Sequence, residues 1–351
     1  MVPGGGLRRC RLEMQESSSE TEAKVEDAAD EKADETASEV AEKVGNDETG
    51  DEPPPSTFYQ AVTQAQEATE KALANGFRLL EVEFPPLPQS MLDSAAIGTY
   101  TVVDANYKLV LDYAKRWADQ GKRVAIAFPD APEKDRALEN SNEMEEPYPN
   151  IRLSTLEDGF KGTFIDRLLT TGVEKDVSVR EEDDMFIVMS ASCQELPQVE
   201  KMCIKAGERP VIFFNLKLDT LRGDLGLPAF PPKNLQYRFL SSILPVYYLR
   251  QRSYSKTVPQ PPYVVNYSGA LYRAFPGKYQ VLLDTSDGKF SRVETMDERP
   301  ALGEVRDIMT KAMGLEAVTP APLMGFLRKG VTSRTWWEVD SDKEESNTWR
   351  T

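Results

Sequence analysis

The chain has 351 residues, 40% of them hydrophobic and 28% charged, enough for one large or two small packed cores. Histidine is absent and there are three cysteines, which excludes a Ser-His-Asp or Cys-His nucleophile, any histidine-containing zinc site, a disulfide framework and a four-thiolate metal centre. The net charge of −16 is concentrated between Glu13 and Glu52, where sixteen acids face three bases, so the remainder is only mildly acidic and a nucleic-acid partner is not expected.

Residues 1–55 are rich in Glu, Asp, Ala and Ser, nearly free of aromatics, and close on "DEPPP". Such a composition cannot bury a core, so a disordered acidic tail is expected. Its start, "MVPGGGLRRCRLEMQ", carries Arg8, Arg9 and Arg11 with no acid before Glu13. It has the charge of a transit peptide without the serine-rich length, and reads as a presequence remnant or as no signal.

Order is expected from Ser56. "STFYQAVTQAQEATEKALANG" offers a Ser or Thr cap, helical spacing through Phe58, Val62, Ala65, Thr69 and Leu73, and a Gly76 stop. "FRLLEVEFPP" is a strand ended by prolines. Val103, Tyr107, Val110, Ala114 and Trp117 then mark an amphipathic helix, and "RVAIAFPDAP" a buried strand. Residues 131–150 are polar and are expected to be a loop or insertion.

"IRLSTL" reads as an edge strand and "GTFIDRLLTTG" as a short helix. A strand "DMFIVMSAS", a helix "LPQVEKMCIKAG", a strand "RPVIFFNL", a helix "NLQYRFLSSI" and a strand "PVYYLRQ" follow. After a link, "PQPPY", come the short strands "ALYRAFP", "KYQVLLD" and "KFSRVET". The last two are joined by "TSDGK", whose Asp-Gly pair favours a tight hairpin. "ALGEVRDIMTKAMG" is a closing helix. Strands separated by helices and then a hairpin predict one three-layer α/β/α domain over 56–315, with a mostly parallel, mixed sheet. Residues 316–351 are expected to be a flexible tail, in which Trp336 and Trp337 either pack back or dock on a partner. No apolar run approaches the roughly 20 residues of a membrane helix, so a soluble chain, or one lying on a membrane surface, is expected.

In open α/β sheets, ligands bind beyond the carboxyl ends of the strands. Asp130, Ser190, Ser192 and Asn215 stand at three such ends, with Asp219 just beyond. These residue types also cap helices and close turns. Both readings stand: a small polar or anionic ligand on a common rim, or local backbone capping. Glu81 and Glu83 are expected to form a solvated strip. Cys193, between a strand and a helix, is the one candidate reactive thiol, because helix N-termini favour thiolates. Neither G-x-x-x-x-G-K-[ST] nor G-x-G-x-x-G is present, and no cofactor is indicated.

The segments "PPPSTFYQAVTQAQEATEKALANGFRLLEVEFPP", "RVAIAFPD", "DMFIVMSAS", "ERPVIFFNLKL", "PVYYLRQ" and "ALYRAFPGKYQVLLD", in this order, resemble a plastid and cyanobacterial family of unknown function. That family includes the LOW PSII ACCUMULATION three proteins. The resemblance implies a chloroplast protein of the stroma or thylakoid surface. It further implies a non-catalytic accessory role in photosystem II assembly, with assembly intermediates or other plastid proteins as partners. It assigns no catalytic residue. An α/β enzyme or ligand binder using the rim is the alternative.

Overall fold

Runs of four or five branched, aromatic and sulfur-bearing residues are too short for helices and too apolar for solvent, so they stack as the inner strands of a sheet. Every residue of β2 (Val124–Phe128), β4 (Met185–Met189) and β5 (Val211–Phe214) is buried. The computed structural model describes residues 51–92, 94, 96–141, 148–156, 179–223, 233–285, 289–315 and 336–351. Those strands join β1 (Leu79–Glu83), β3 (Ile151–Thr155), β6 (Leu244–Thr257), β7 (Val264–Ala274), β8 (Tyr279–Asp284) and β9 (Phe290–Met296). The order is β3-β2-β4-β5-β1-β6-β7-β8-β9. From β3 to β6 all pairings are parallel, and from β6 to β9 all are antiparallel. The mixed α/β architecture is the one expected.

Helices cover both faces. On one, α1 (Phe58–Ala74) lays Ala61, Ala65, Ala68 and Ala72 against the sheet. Beside it, α3 (Thr99–Asp119) contributes Tyr107, Tyr113 and Trp117 to the same core. Thr57 caps α1 by accepting the Gln60 amide at 3.1 Å. A short α2 (Gln89–Leu92) precedes α3. On the other face, α5 (Leu196–Ala206) packs Leu196, Val199, Met202 and Cys203 against β4 and β5 residues. Near it lie α6 (Leu218–Gly223), α7 (Lys233–Arg238) and a 3-10 turn at Leu240–Ser242. The antiparallel strands are closed by α8 (Leu302–Ala312), through Val305 and Met309.

Four expectations need correction. The first is the loop at 131–150, which begins instead with a helix, α4 (Ala131–Ser141). Its apolar content is too low to show a stripe. It is held by the Asp130 cap, by buried Ala137, and by Arg136, which bonds Asp104 of α3 at 2.8 Å. Next, β6 and β7 extend well past "PVYYLRQ" and "ALYRAFP". Their register runs unbroken from Tyr247↔Ala274 to Thr257↔Val264, because polar residues alternate there with half-buried ones.

The N-terminal boundary also moves. Residues 51–55 belong to the folded unit: Pro53 O accepts the Gln64 amide at 3.0 Å, and Glu52 O accepts that of Gln280 at 2.9 Å. The last correction concerns the far end of the tail. After α9 (Trp336–Val339), residues 340–351 return to the domain, and Trp349 is only 3% exposed. Residues 1–50, "GTFIDRLLTTG" and the central turn residues 286–288 lie outside the described residues. Among those described, no helix is long and apolar enough to cross a membrane.

Candidate functional site

Because β2, β4 and β5 run parallel, Asp130, Ser190, Ser192 and Asn215 do emerge on one rim. Each is then engaged by its own neighbourhood. Asp130 accepts the Glu133 amide at 3.0 Å and caps α4. Ser190 stands at the end of β4 at φ 55°, near the Glu133 carboxyl. Burial holds that carboxyl above its ordinary value, nearby Ser190 opposes this, and Asp130 and Glu195 reinforce it. Ser192 donates twice to Glu195 ahead of α5: the Glu195 carboxylate accepts the Ser192 amide at 2.9 Å and also its hydroxyl.

Asn215 ends the apolar run of β5 in the left-handed region, at φ 51°, where asparagine is among the few tolerated side chains. Its Oδ1 accepts the Phe84 amide at 2.8 Å, and its Nδ2 donates to Asn106 Oδ1 at 2.8 Å. One amide thus ties the ends of β1 and β5 to α3. The rim residues are brought to one border but do not converge on a shared point.

Asp219 lies just beyond that rim, beside the part of β6 that passes the end of β1. It lies 8% exposed at the start of α6, under the opposite face, and accepts the Tyr248 hydroxyl at 2.7 Å. Arg299 donates to both its oxygens at 2.8 and 2.9 Å, and Arg250 and Arg252 reach it at 3.3 Å. The Arg299 guanidinium also stacks 4.3 Å over the Tyr248 ring. Burial works against the Arg299 charge, but Asp219, Tyr248 and its other neighbours together hold it protonated.

Glu81 and Glu83 face this cluster and are 1% and 6% exposed, so the solvated strip is corrected to a buried pair. Burial first, then repulsion from Glu81, raises Glu83 to about 7. Glu83 accepts the Lys217 amide at 3.0 Å and so clasps the turn after β5. The signal for this cluster was present as alternation: Glu-x-Glu on β1 lies beside Tyr-x-Arg-x-Arg on β6, with Glu83 paired to Tyr248. A recess of 290 Å³ adjoins it, lined in part by Arg299, Glu304, Glu338 and Trp349.

A second recess is larger and was not foreseen. Beyond the end of β1, between the start of α1 and the outer strands, lies a cleft of 610 Å³. Phe58, Phe84, Leu87, Leu249 and Phe290 supply apolar walls, and Gln251, Ser253, Ser268 and Asp284 a polar floor. It arises because β6 and β7 run past the cover of α1 and α3, and the length of those strands was under-read.

Cys193 is corrected as a reactive thiol: it is 6% exposed within the core beneath α5 and presents no open surface. The buried Cys203 thiol is pushed up to about 12, chiefly by burial. Trp336 and Trp337 open α9, and their side chains lie outside the described residues. Among the described residues, no group of three or more carboxylate or thiol side chains is placed to hold a metal ion.

A family model described as "Domain of unknown function (DUF1995)" matches residues 55–307. No solved structure matches the chain.

Proposed function

The chain belongs to the DUF1995 family, and from that premise we propose that it is a plastid accessory factor for photosynthetic complexes, photosystem II foremost. It works in the stroma or at the thylakoid surface, and by binding rather than turnover. The ordered match of its segments to the LOW PSII ACCUMULATION three proteins supports the plastid assignment. The observation that carries the binding role is the state of the carboxyl rim: Asn215, Ser192 and Asp130 are each committed to the fold's own backbone and side chains. Polar groups spent on capping do not present a reacting atom to a substrate.

The test is affinity capture with the full chain from a detergent-solubilised thylakoid extract, followed by mass spectrometry. Photosystem II subunits and early assembly intermediates should be enriched over a bait of matched size and charge. Equal recovery of those subunits on both baits would overturn the proposal. The 610 Å³ cleft favours ligand binding as a second activity.

A further inference from the structure

Residues 340–351 lie in a groove of the domain as a bound peptide would. Trp349 is their one buried side chain, and the others are exposed or half-buried. Backbone bonds fix the segment in place. Trp349 donates its amide to Ser241 O at 3.2 Å, Glu345 its amide to Tyr237 O at 2.8 Å, and Arg299 its amide to Arg350 O at 2.7 Å. Arg273 also donates to the main-chain oxygen of Thr351. Side chains of α7 set the register. Tyr237 donates to Asp340 at 2.7 Å, Lys233 reaches the same carboxylate at 3.4 Å, and Gln236 Nε2 donates to Glu344 at 3.3 Å. Main-chain bonds around one aromatic anchor are the means by which grooves hold peptides.

The segment fits this groove incompletely. A recess of 290 Å³ remains between Trp349 and Arg350 on its side and Arg299, Pro300 and Glu304 on the domain's. Two buried polar atoms of the groove residues, Gln236 Oε1 and Arg299 Nη1, make no hydrogen bond among the described residues. Each costs free energy in that state, and an occupant that donates to the glutamine and accepts from the arginine recovers it. Direct bonds, not net charge, define the occupant's chemistry. Two carboxylates, Asp340 and Glu344, sit on the donors of α7, and an indole lies 5.4 Å from the Arg299 guanidinium, whose charge Asp219 already balances. Glu344 also accepts the Trp349 indole at 3.0 Å, so the second carboxylate and the ring arrive as one unit. We infer that this groove, built from α7, the 3-10 turn and the Arg299 turn, docks an acidic, tryptophan-bearing segment of a partner protein, and that residues 340–351 occupy it in cis. Docked there, they stabilise the domain as a bound ligand does, and a partner segment must displace them. This names what the binding role above recognises and rests on that role, but its test uses purified chain and a synthetic peptide, so its outcome is separate from that of the thylakoid capture.

The probe is a fluorescein-labelled synthetic peptide of residues 340–351, titrated with the purified full chain and followed by fluorescence anisotropy. In the parent chain the cis segment competes with it. Trp349→Ala in the chain removes the anchor and opens the groove. That variant should bind the peptide saturably and about tenfold or more tighter than the parent, because apparent affinity scales with the fraction of open groove. Asp340→Ala loosens the segment without touching the core and should shift affinity in the same direction. Lys233→Glu, added to either opened variant at a half-exposed position, should weaken binding about fivefold. The same peptide with Trp349→Ala should not bind. Absence of saturable binding, equal affinity in the parent and both opened variants, undiminished binding after Lys233→Glu, or tight binding of the alanine peptide would each overturn the assignment. Dimerisation of the parent chain that the free peptide reverses would place a second copy in the groove and likewise overturn the partner as its occupant.

Discussion

Asn215 and Glu83 each join strand ends that are distant in sequence, and both are testable singly. Asn215 combines a left-handed backbone with two side-chain bonds. Asn215→Ala should lower stability by about 2 kcal/mol, read from the urea midpoint. Asn215→Gly should lose less, because glycine accepts the positive φ without strain. Glu83 has its folded value raised to about 7, so the native state binds a proton there that the unfolded chain has already released. Its contribution is fully present below about pH 4.5 and is lost as pH rises to 7. Glu83→Gln keeps an acceptor for the Lys217 amide and should flatten that fall, leaving the variant at least as stable as the parent at pH 8. An unchanged slope of stability against pH in the variant would refute the assignment. The polar character of both residues was legible from sequence, but their environments were not. A Glu-x-Glu alternation looks the same on a solvated strand as on one facing buried arginines.

Among the elements, the β6–β7 hairpin shapes the recess on one side and seats α8 on the other. Gly269 makes that seat fit. A Cβ there would meet the Leu282 carbonyl oxygen well inside contact distance and Met309 Cε of α8 at 2.5 Å. Gly269→Ala should therefore cost about 1–3 kcal/mol of stability, measured by denaturant unfolding. Adding Met309→Ala should not restore it, because the clash with the Leu282 backbone remains. The length of this hairpin escaped sequence reading for a physical reason. Its outer halves alternate polar with half-buried residues, and Pro259, Pro261 and Pro262 in the link drew the strand ends inward. The same blindness applies to α4, whose helix rests on one cap and one ion pair instead of an apolar stripe.

At the scale of the molecule, distant ends of the chain close the same sheet. Residues 51–53 bond the Gln64, Gln280 and Lys278 groups, while Trp349 is buried beside Arg299. The Arg299 guanidinium lies 5.4 Å from the Trp349 ring, and the indole donates to Glu344 at 3.0 Å. Trp349→Ala should cost about 3 kcal/mol and lower the melting temperature, as for other buried aromatics. A melting temperature within a degree of the parent would show that this segment is detachable from the domain.

Periodicity and apolar runs alone were enough to establish the layered α/β plan, the parallel strands and the common rim, because those features depend on local alternation and on strands too greasy to face water. What the rim residues bind could not be read that way. Hydrogen-bond partners such as Phe84 for Asn215, or Arg299 for Asp219, lie 80 to 131 residues apart in sequence and meet through packing alone. The cleft likewise exists only because two strands outrun the helices above them, a mismatch of lengths that no single segment records.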